Sequence, residues 1–186
     1  MNFGDLTRLL KVSLLMPRIG VRLLLDLHLP NAVTWLGLLL VSVLLTLMGA
    51  VGLYLAPATL PDALDANYLG FVAVHAILLL LPAGLIHIVG ERTGSLAHFM
   101  EALLLMVWLQ VMLLPLTLVT TIAVAVSDPV GQIVMVICGV ATLWFLTNFV
   151  TELHHYRSRR NVFLGIVAAS IVLGVLMLPL FDPRFA

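Results

Sequence analysis

Six histidines are the residues of this chain whose chemistry could hold a haem or a metal ion. A membrane haem needs two imidazoles at similar depth, and only His75 lies deep in an apolar stretch, roughly 10 Å from its end. The other five flank apolar stretches, at His28, His87, His98, His154 and His155. His154 and His155 are adjacent and point in different directions, and no HExxH spacing accompanies them. The sequence therefore predicts no haem and no metal site.

Carboxylates inside membrane helices usually mark transport or proton relay. Here the only candidates are Glu101 and Glu152, and each lies within about one turn of the end of an apolar stretch. The chain has no GxSxG, Walker or GxGxxG motif. We therefore predict no catalytic residue, no cofactor and no enzymatic activity. A transporter of a neutral or weakly polar solute stays open, because these polar residues could line its path: His75, Gln110, Thr117, Thr120, Thr121, Thr142 and Asn148.

Long uncharged stretches dominate the sequence and must position these groups. Five stretches, each at least 21 residues long, contain no Asp, Glu, Lys or Arg: Leu27–Pro61, Ala66–Gly90, Ala102–Ser127, Pro129–Thr151 and Asn161–Phe181. About 20 apolar residues cross a bilayer core of ~30 Å as a helix. Hydrophobic residues make up 62% and charged residues 10%, where a soluble domain has about 25% charged. These numbers predict an all-α integral membrane protein with five transmembrane helices.

The domain organisation follows from the boundaries of these stretches. The predicted spans are Ala32–Ala56, Tyr68–Val89, Phe99–Val126, Val130–Val150 and Val162–Phe181. Residues 1–31 form an amphipathic interfacial segment, 32–181 the five-helix membrane domain, and 182–186 a short external tail. The single cysteine, Cys138, lies within a span and can form no intrachain disulfide. The net charge of zero gives no reason to expect a nucleic-acid partner.

The basic residues predict the orientation. With five crossings, one side of the membrane holds eight of them: Arg8, Lys11, Arg18, Arg22, Arg92, Arg157, Arg159 and Arg160. The other side holds only Arg184, with Asp62, Asp65, Asp128 and Asp182. Basic loops stay in the cytoplasm. We predict a bacterial inner-membrane protein with a cytoplasmic N-terminus and an external C-terminus.

Residues 4–29 have the pattern of two short helices separated at Pro17, which would break a helix interior. Arg18, Arg22 and Asp26 recur every four residues on one face of the second helix. Such a helix can lie in the headgroup plane with its leucines in the bilayer and its arginines outward. The alternative is that it simply packs on the other helices. The interfacial hypothesis predicts contacts with anionic headgroups at Arg8, Lys11, Arg18, Arg22, Arg157, Arg159 and Arg160.

Other residues predict how the helices meet. Ser127-Asp128-Pro129 is typical of a helix start, so spans three and four should form an antiparallel hairpin turned at Asp128. Pro82 and Pro115 lie inside spans and predict kinks. Small residues recur on span five and would allow close helix packing, at Gly165, Ala169, Ser170 and Gly174. A membrane-protein partner or a second copy of the chain is the expected occupant of such surfaces.

The segment between spans two and three has the sequence RTGSLAHFMEAL over residues 92–103, followed by LLMVWLQ, and Gly90 precedes it. This segment resembles the Yip-domain family of Ypt/Rab-interacting membrane proteins. The five spans, the cytoplasmic N-terminus, Pro115 and the segment 148–160 agree with the bacterial members. The resemblance covers residues 30–181. It implies a non-catalytic membrane protein that acts through contacts, with a structural or partner-facing inner loop at Gly94, Ser95, Phe99 and Glu101.

The chain departs from the eukaryotic members of that family in two respects. Only residues 1–31 precede the first span, and the Asp-Leu-Tyr-Gly-Pro signature is absent. Rab binding is therefore not expected. The alternative for Gly94 and Ser95 is that they only form the turn and cap of span three. A second alternative for the whole chain is a small accessory subunit of a larger membrane complex.

Overall fold

The computed structural model describes residues 3–55, 67–94, 97–156 and 158–177, and these form seven α-helices. The helices are α1 Phe3–Leu15, α2 Pro17–Asp26, α3 Asn31–Leu55, α4 Tyr68–Arg92, α5 Phe99–Val126, α6 Asp128–Leu153 and α7 Arg159–Met177. The all-helical prediction is confirmed for this part of the chain. Several predictions concern residues outside the described ranges: Asp62, Asp65, Ser95, Arg157 and the tail 182–186.

Four helices, α3 to α6, are long and apolar enough to cross a membrane, with mean hydropathies between 2.2 and 2.4. Their bounds agree with the first four predicted spans to within three residues at each end. α7 has 19 residues and coincides with most of the fifth predicted span. Pro82 and Pro115 both lie inside continuous helices.

Helix α5 occupies the centre of the bundle, with α3, α4 and α6 packed around it. Its buried side chains all lie between Ala102 and Leu113, in the first half of the helix. Large apolar side chains on the surrounding helices face outward, for example Leu36, Leu69 and Val136, which are at least 65% exposed. Such a surface is unfavourable in water and is what hydrocarbon solvates.

Two close contacts at glycines of α3 show the direction of α3 relative to α5. A methyl group added at Gly37 would lie 3.0 Å from Val107, and one added at Gly52 would lie 2.8 Å from Thr121. Because both contacts join α3 to α5 in the same sequence order, these two helices run parallel, as the first and third of consecutive antiparallel passes must. Glycine leaves room for the neighbouring side chain in each case.

Helices α5 and α6 form the predicted antiparallel hairpin. Ser127 alone separates them, so the turn lies one residue earlier than Asp128, which is already helical. Pro129 lies in the first turn of α6, where its missing N–H costs nothing. At Gly131 a methyl group would lie 2.7 Å from the Cα of Val124, so the tight turn requires glycine there.

Helices α1 and α2 form a second hairpin, the N-terminal hairpin, which packs on the bundle. It breaks at Met16, directly before Pro17. A methyl group at Gly20 would lie 2.5 Å from the Cα of Ser13, so the two helices cross almost backbone to backbone. Ser13 is fully buried, and its Oγ accepts a hydrogen bond of 3.1 Å from the Trp108 indole N–H of α5. The crossing point is thereby joined to the central helix.

One face of α2 packs on the other helices. It contains Val21 and Leu24, which pack against the bundle. The guanidinium groups of Arg18 and Arg22 turn toward Glu152 of α6, because a buried carboxylate attracts the nearest available cations. This packing is what the alternative to the interfacial hypothesis predicts for that face, while the interfacial location and the headgroup contacts stay predictions. An exposed apolar row remains at Leu15, Met16, Ile19, Leu23 and Leu27.

Candidate functional site

The polar contacts between helices concentrate at one end of the bundle, where α4 and α6 end and where α3, α5 and α7 begin. We call it the basic end, because five arginines lie there: Arg18, Arg22, Arg92, Arg159 and Arg160. Sequence analysis predicts that this end faces the cytoplasm. Arg8 and Lys11, on α1, are exposed, as are Arg159 and Arg160.

A buried carboxylate joins the N-terminal hairpin to the bundle at the basic end. Glu152 is 4% exposed. The Arg22 Nε–H donates to Glu152 Oε1, and Arg18 Nε lies 3.4 Å from Oε2. Burying a carboxylate is costly unless it is paired and hydrogen-bonded. The ion pair therefore holds α2 against the end of α6, across 130 residues of sequence.

Sequence analysis missed this ion pair, although it named all three residues. It assigned Arg18 and Arg22 to headgroups and placed Glu152 at the boundary. The available signal was two arginines at i, i+4 spacing, which share a helix face, together with an acid close to the end of an otherwise uncharged span. The arginine side chains remain 36% and 66% exposed, so headgroup contact at their outer surfaces stays a prediction.

The connection between α4 and α5, together with the first turn of α5, contains three of the residues that the family resemblance singles out, Gly94, Phe99 and Glu101. Gly94 has a φ of +81°, and its N–H donates to the carbonyl of Glu91. A left-handed glycine directly after a helix is a common helix end, so Gly94 terminates α4 rather than beginning α5. Glu101 accepts a 2.9 Å hydrogen bond from the backbone N–H of His98 and caps α5. Phe99 packs edge-on against the His87 ring, with centroids 6.1 Å apart.

These contacts give Gly94, Phe99 and Glu101 structural roles, while their predicted role in partner binding stays a prediction. Ser95 lies outside the described residues. His87 also contacts the chain at two further points: its Nε2 lies 3.7 Å from the Glu91 carboxylate, and its Nδ1 lies 3.3 Å from the Ala97 carbonyl. Through Ala97 and Phe99, His87 thus ties the start of α5 to α4.

His154 lies one residue beyond α6, tightly packed against α4. A methyl group at Gly90 would lie 2.2 Å from the His154 Cε1, so only glycine leaves space for the imidazole. Desolvation by burial lowers the pKa of His154 below 6.5, although a hydrogen bond to the Ile86 backbone acts in the opposite direction. The Tyr156 ring lies 5.3 Å from the His154 ring, and its hydroxyl hydrogen-bonds Thr93.

A cleft of about 530 Å³ runs from this cluster along the bundle. We call it the α4–α7 cleft. Its walls come from α4, α6 and α7, because α7 packs on α6 and stands apart from α4. Apart from Ser170, its polar residues are at the basic end: Thr93, His154, Tyr156, Ser158 and Asn161. The rest of the lining is mostly apolar and includes Pro82, Leu146 and Leu173.

The small residues of span five do not make close contacts with the described atoms. A methyl group added at Gly165 or at Gly174 would meet no described atom within 4 Å. Gly165 and Ala169 line the α4–α7 cleft, and Gly174 does not. Close helix packing at these positions therefore stays a prediction about a second chain.

A second cavity, of about 560 Å³, lies near the opposite end between α3, α5 and α6. It brings together four of the threonines named as a possible solute path, Thr117, Thr120, Thr121 and Thr142, beside Cys138. Each of these hydroxyls donates to the carbonyl four residues earlier in its helix. Asn148 likewise bonds the Trp144 carbonyl.

His75 belongs to neither cavity lining. Its Nδ1 lies 3.1 Å from Thr46 Oγ1 of α3, so the imidazole links α3 to α4. Among the residues that the structure describes, no group of three His, Cys, Asp or Glu side chains is arranged to hold a metal ion.

The comparison with protein-family models gives one match, to the Yip1 domain over residues 12–180. The chain belongs to the Yip1-domain family. The match confirms the resemblance read from residues 92–110 and extends it to Val12, so it includes Ser13 and all of α2. No curated protein and no solved structure matches the chain. Together with its apolar helices, the family makes this chain an integral membrane protein.

Proposed function

We propose that this Yip1-domain protein is a non-catalytic, five-span protein that acts through contacts with lipid headgroups at its basic end and with a membrane-protein partner. The observation that carries the proposal is the Glu152 ion pair with Arg18 and Arg22. It docks the N-terminal hairpin on the end of α6, and α7 begins six residues after that end. Two sets of exposed basic side chains then belong to one end of the molecule.

Anionic headgroups are the lipid chemistry that fits this end. Arg8 and Lys11 on the hairpin, and Arg159 and Arg160 on α7, are exposed. Each basic residue near an anionic leaflet is worth about 1 kcal/mol. The exposed apolar row that begins at Leu15 and Met16 supports the same placement, because it can enter the bilayer beside those charges.

Topology is the first test. In a Cys138→Ser background, single cysteines at Asp62, Asp128 and Ser158 are treated with a membrane-impermeant thiol reagent in intact cells. We expect labelling at 62 and 128 and none at 158 until the membrane is opened, because a bacterial inner-membrane protein with five spans places the basic end in the cytoplasm. Labelling of position 158 in intact cells contradicts the orientation and with it the proposed inner-face contacts.

Partner contact is tested by photo-crosslinking in the native membrane. A photoreactive residue at Phe99 or at Gly174 is expected to capture the same membrane protein, or a second copy of the chain. The matched control is Leu103, which is also on α5 but fully buried. A fixed-stoichiometry partner would favour the accessory-subunit alternative, whereas crosslinks no more frequent at 99 and 174 than at 103 would contradict the contact proposal.

The threonine-lined cavity favours transport of a neutral or weakly polar solute as the second candidate. Thr120→Val keeps the side-chain volume and removes a hydroxyl from the lining. A solute flux in proteoliposomes that this substitution abolishes, while Thr34→Val on α3 outside the cavity leaves it unchanged, would replace the contact proposal by transport.

A further inference from the structure

We propose that the α4–α7 cleft is a binding site for one anionic phospholipid of the leaflet at the basic end. One acyl chain would lie in the cleft and the phosphate would lie at its polar end. This inference deepens the proposed function, because it names the lipid class and a specific site for it.

The shape of the cleft matches half of a bilayer. Pro82 and Thr93 bound it on α4, and Asn161 and Leu173 bound it on α7. At 1.5 Å per residue these segments are roughly 16–18 Å long, and one leaflet contributes about 15 Å of the hydrocarbon core. The cleft also opens toward the lipid, because Val89, Gly165 and Ser170 in its walls are exposed. A lipid can therefore enter sideways without leaving its leaflet.

The polarity of the lining is that of a phospholipid. Along α4 the lining is apolar from Pro82 to Val89 and polar at Thr93, and along α7 it is polar at Asn161 and, apart from Ser170, apolar toward Leu173. Both walls become polar at the same end, where the side chains of Ser158 and Asn161 have O–H and N–H groups that can donate hydrogen bonds. A phosphate accepts such bonds.

Charge selects an anionic headgroup. Arg92 directly precedes Thr93, and Arg159 and Arg160 lie between the lining residues Ser158 and Asn161. Two carboxylates lie near this end: Glu91, which is 3.7 Å from His87, and Glu101, whose charge acts on His154. Three guanidinium groups against two carboxylates leave an excess of positive charge, which attracts an anion rather than a zwitterion.

The volume of the cleft, about 530 Å³, is in the range of a ligand site. Ligand sites for small molecules have volumes of about 300–1,000 Å³. A single acyl chain is the membrane component that fits.

The test uses the full chain in nanodiscs that contain equal amounts of phosphatidylglycerol and phosphatidylcholine, followed by native mass spectrometry after mild delipidation. We expect one retained phosphatidylglycerol per protein. Gly165→Leu should lower its retention at least fivefold, because the added side chain enters the cleft without a described clash. Gly174→Leu is the matched control, since it is also an open glycine on α7 but lies outside the cleft.

The headgroup is tested separately. Arg159→Gln with Arg160→Gln should remove the preference for phosphatidylglycerol, and Asn161→Ala, which removes a polar side chain from the lining, should weaken retention. If Gly165→Leu does not yield folded protein, a photoreactive phosphatidylglycerol on the unmodified chain replaces it, with crosslinks expected in residues 82–93 and 158–173.

Retention equal in Gly165→Leu and Gly174→Leu, crosslinks spread evenly over the apolar faces, or equal retention of both lipids overturns the site. A second copy of the chain bound there instead of lipid also overturns it. Failure of the partner crosslinks at positions 99 and 174 would leave these lipid readouts unaffected, so the two proposals fail independently.

Discussion

Removing Glu152 and removing its two arginine partners should destabilise the protein to different degrees, because the three side chains are buried to different degrees. Removing both arginines, by Arg18→Gln with Arg22→Gln, leaves a carboxylate whose side chain is only 3% exposed. Removing the carboxylate, by Glu152→Gln, leaves two arginine side chains that are 36% and 66% exposed. The stranded carboxylate cannot reach water, whereas the arginine side chains reach it in part, although the Arg18 Nε is buried.

The magnitudes follow from that exposure. Breaking a buried pair by removing one partner costs about 3–5 kcal/mol, since an uncompensated charge stays buried. Partly exposed arginines regain hydration, so Glu152→Gln should cost only about 1 kcal/mol, the scale of a surface pair. Arg22→Gln alone should cost a similar amount, because Arg18 remains 3.4 Å from the carboxylate. The triple substitution should be milder than the arginine pair, since it removes the stranded charge.

Hydrogen exchange of α2 amides in nanodiscs measures the cost directly, because undocking the hairpin exposes residues 17–26. At about 1.4 kcal/mol per tenfold change, the arginine pair should lower protection about 100- to 3,000-fold and Glu152→Gln about fivefold. Arg8→Gln with Lys11→Gln, exposed residues of the same hairpin, is the control for lost charge. A loss in Glu152→Gln as large as in the arginine pair, or a control that equals the pair, refutes the reasoning.

Three further predictions concern the N-terminal hairpin and the end of α6. Gly20→Ala should lower the free energy of opening of α2, measured by hydrogen exchange, by at least about 2 kcal/mol, because its methyl group would overlap the Ser13 backbone. Gly4→Ala, in open space, should leave this free energy unchanged. Trp108→Phe should cost about 1–3 kcal/mol in thermal unfolding, because it leaves the buried Ser13 hydroxyl without its donor. The protection of amides near His154, corrected for the intrinsic pH dependence of exchange, should fall as the pH drops below about 6.5, because the lowered folded-state pKa of His154 makes the unfolded state bind protons first. His154→Gln should remove that dependence.

The helices were predictable from sequence because hydropathy and length alone decide membrane spans. α5 has the predicted bounds, Phe99–Val126, since His98 and Ser127 flank it with polar residues. The inward faces of the spans were not predictable in the same way. In a soluble helix the apolar stripe marks the core, but α4, α5 and α6 are apolar on every side, so lipid-facing and core-facing residues look alike. The burial of Leu103 and the exposure of Leu69 cannot be told apart by residue type.

The partners of the arginines could not be predicted from the sequence either. An arginine near the membrane interface has two favourable partners, a lipid phosphate and a protein carboxylate, and sequence spacing on α2 is equally consistent with both. Only the fold brings Glu152 to Arg22, across 130 residues. The buried carboxylate would be an unpaired charge out of solvent if it had no cation beside it. A lipid phosphate is hydrated by water, so it gains less from pairing with an arginine. The arginines of the basic end therefore divide into two groups: Arg18 and Arg22 hold the hairpin on the bundle, and the exposed pair at the start of α7 stays available for the proposed contact with headgroups.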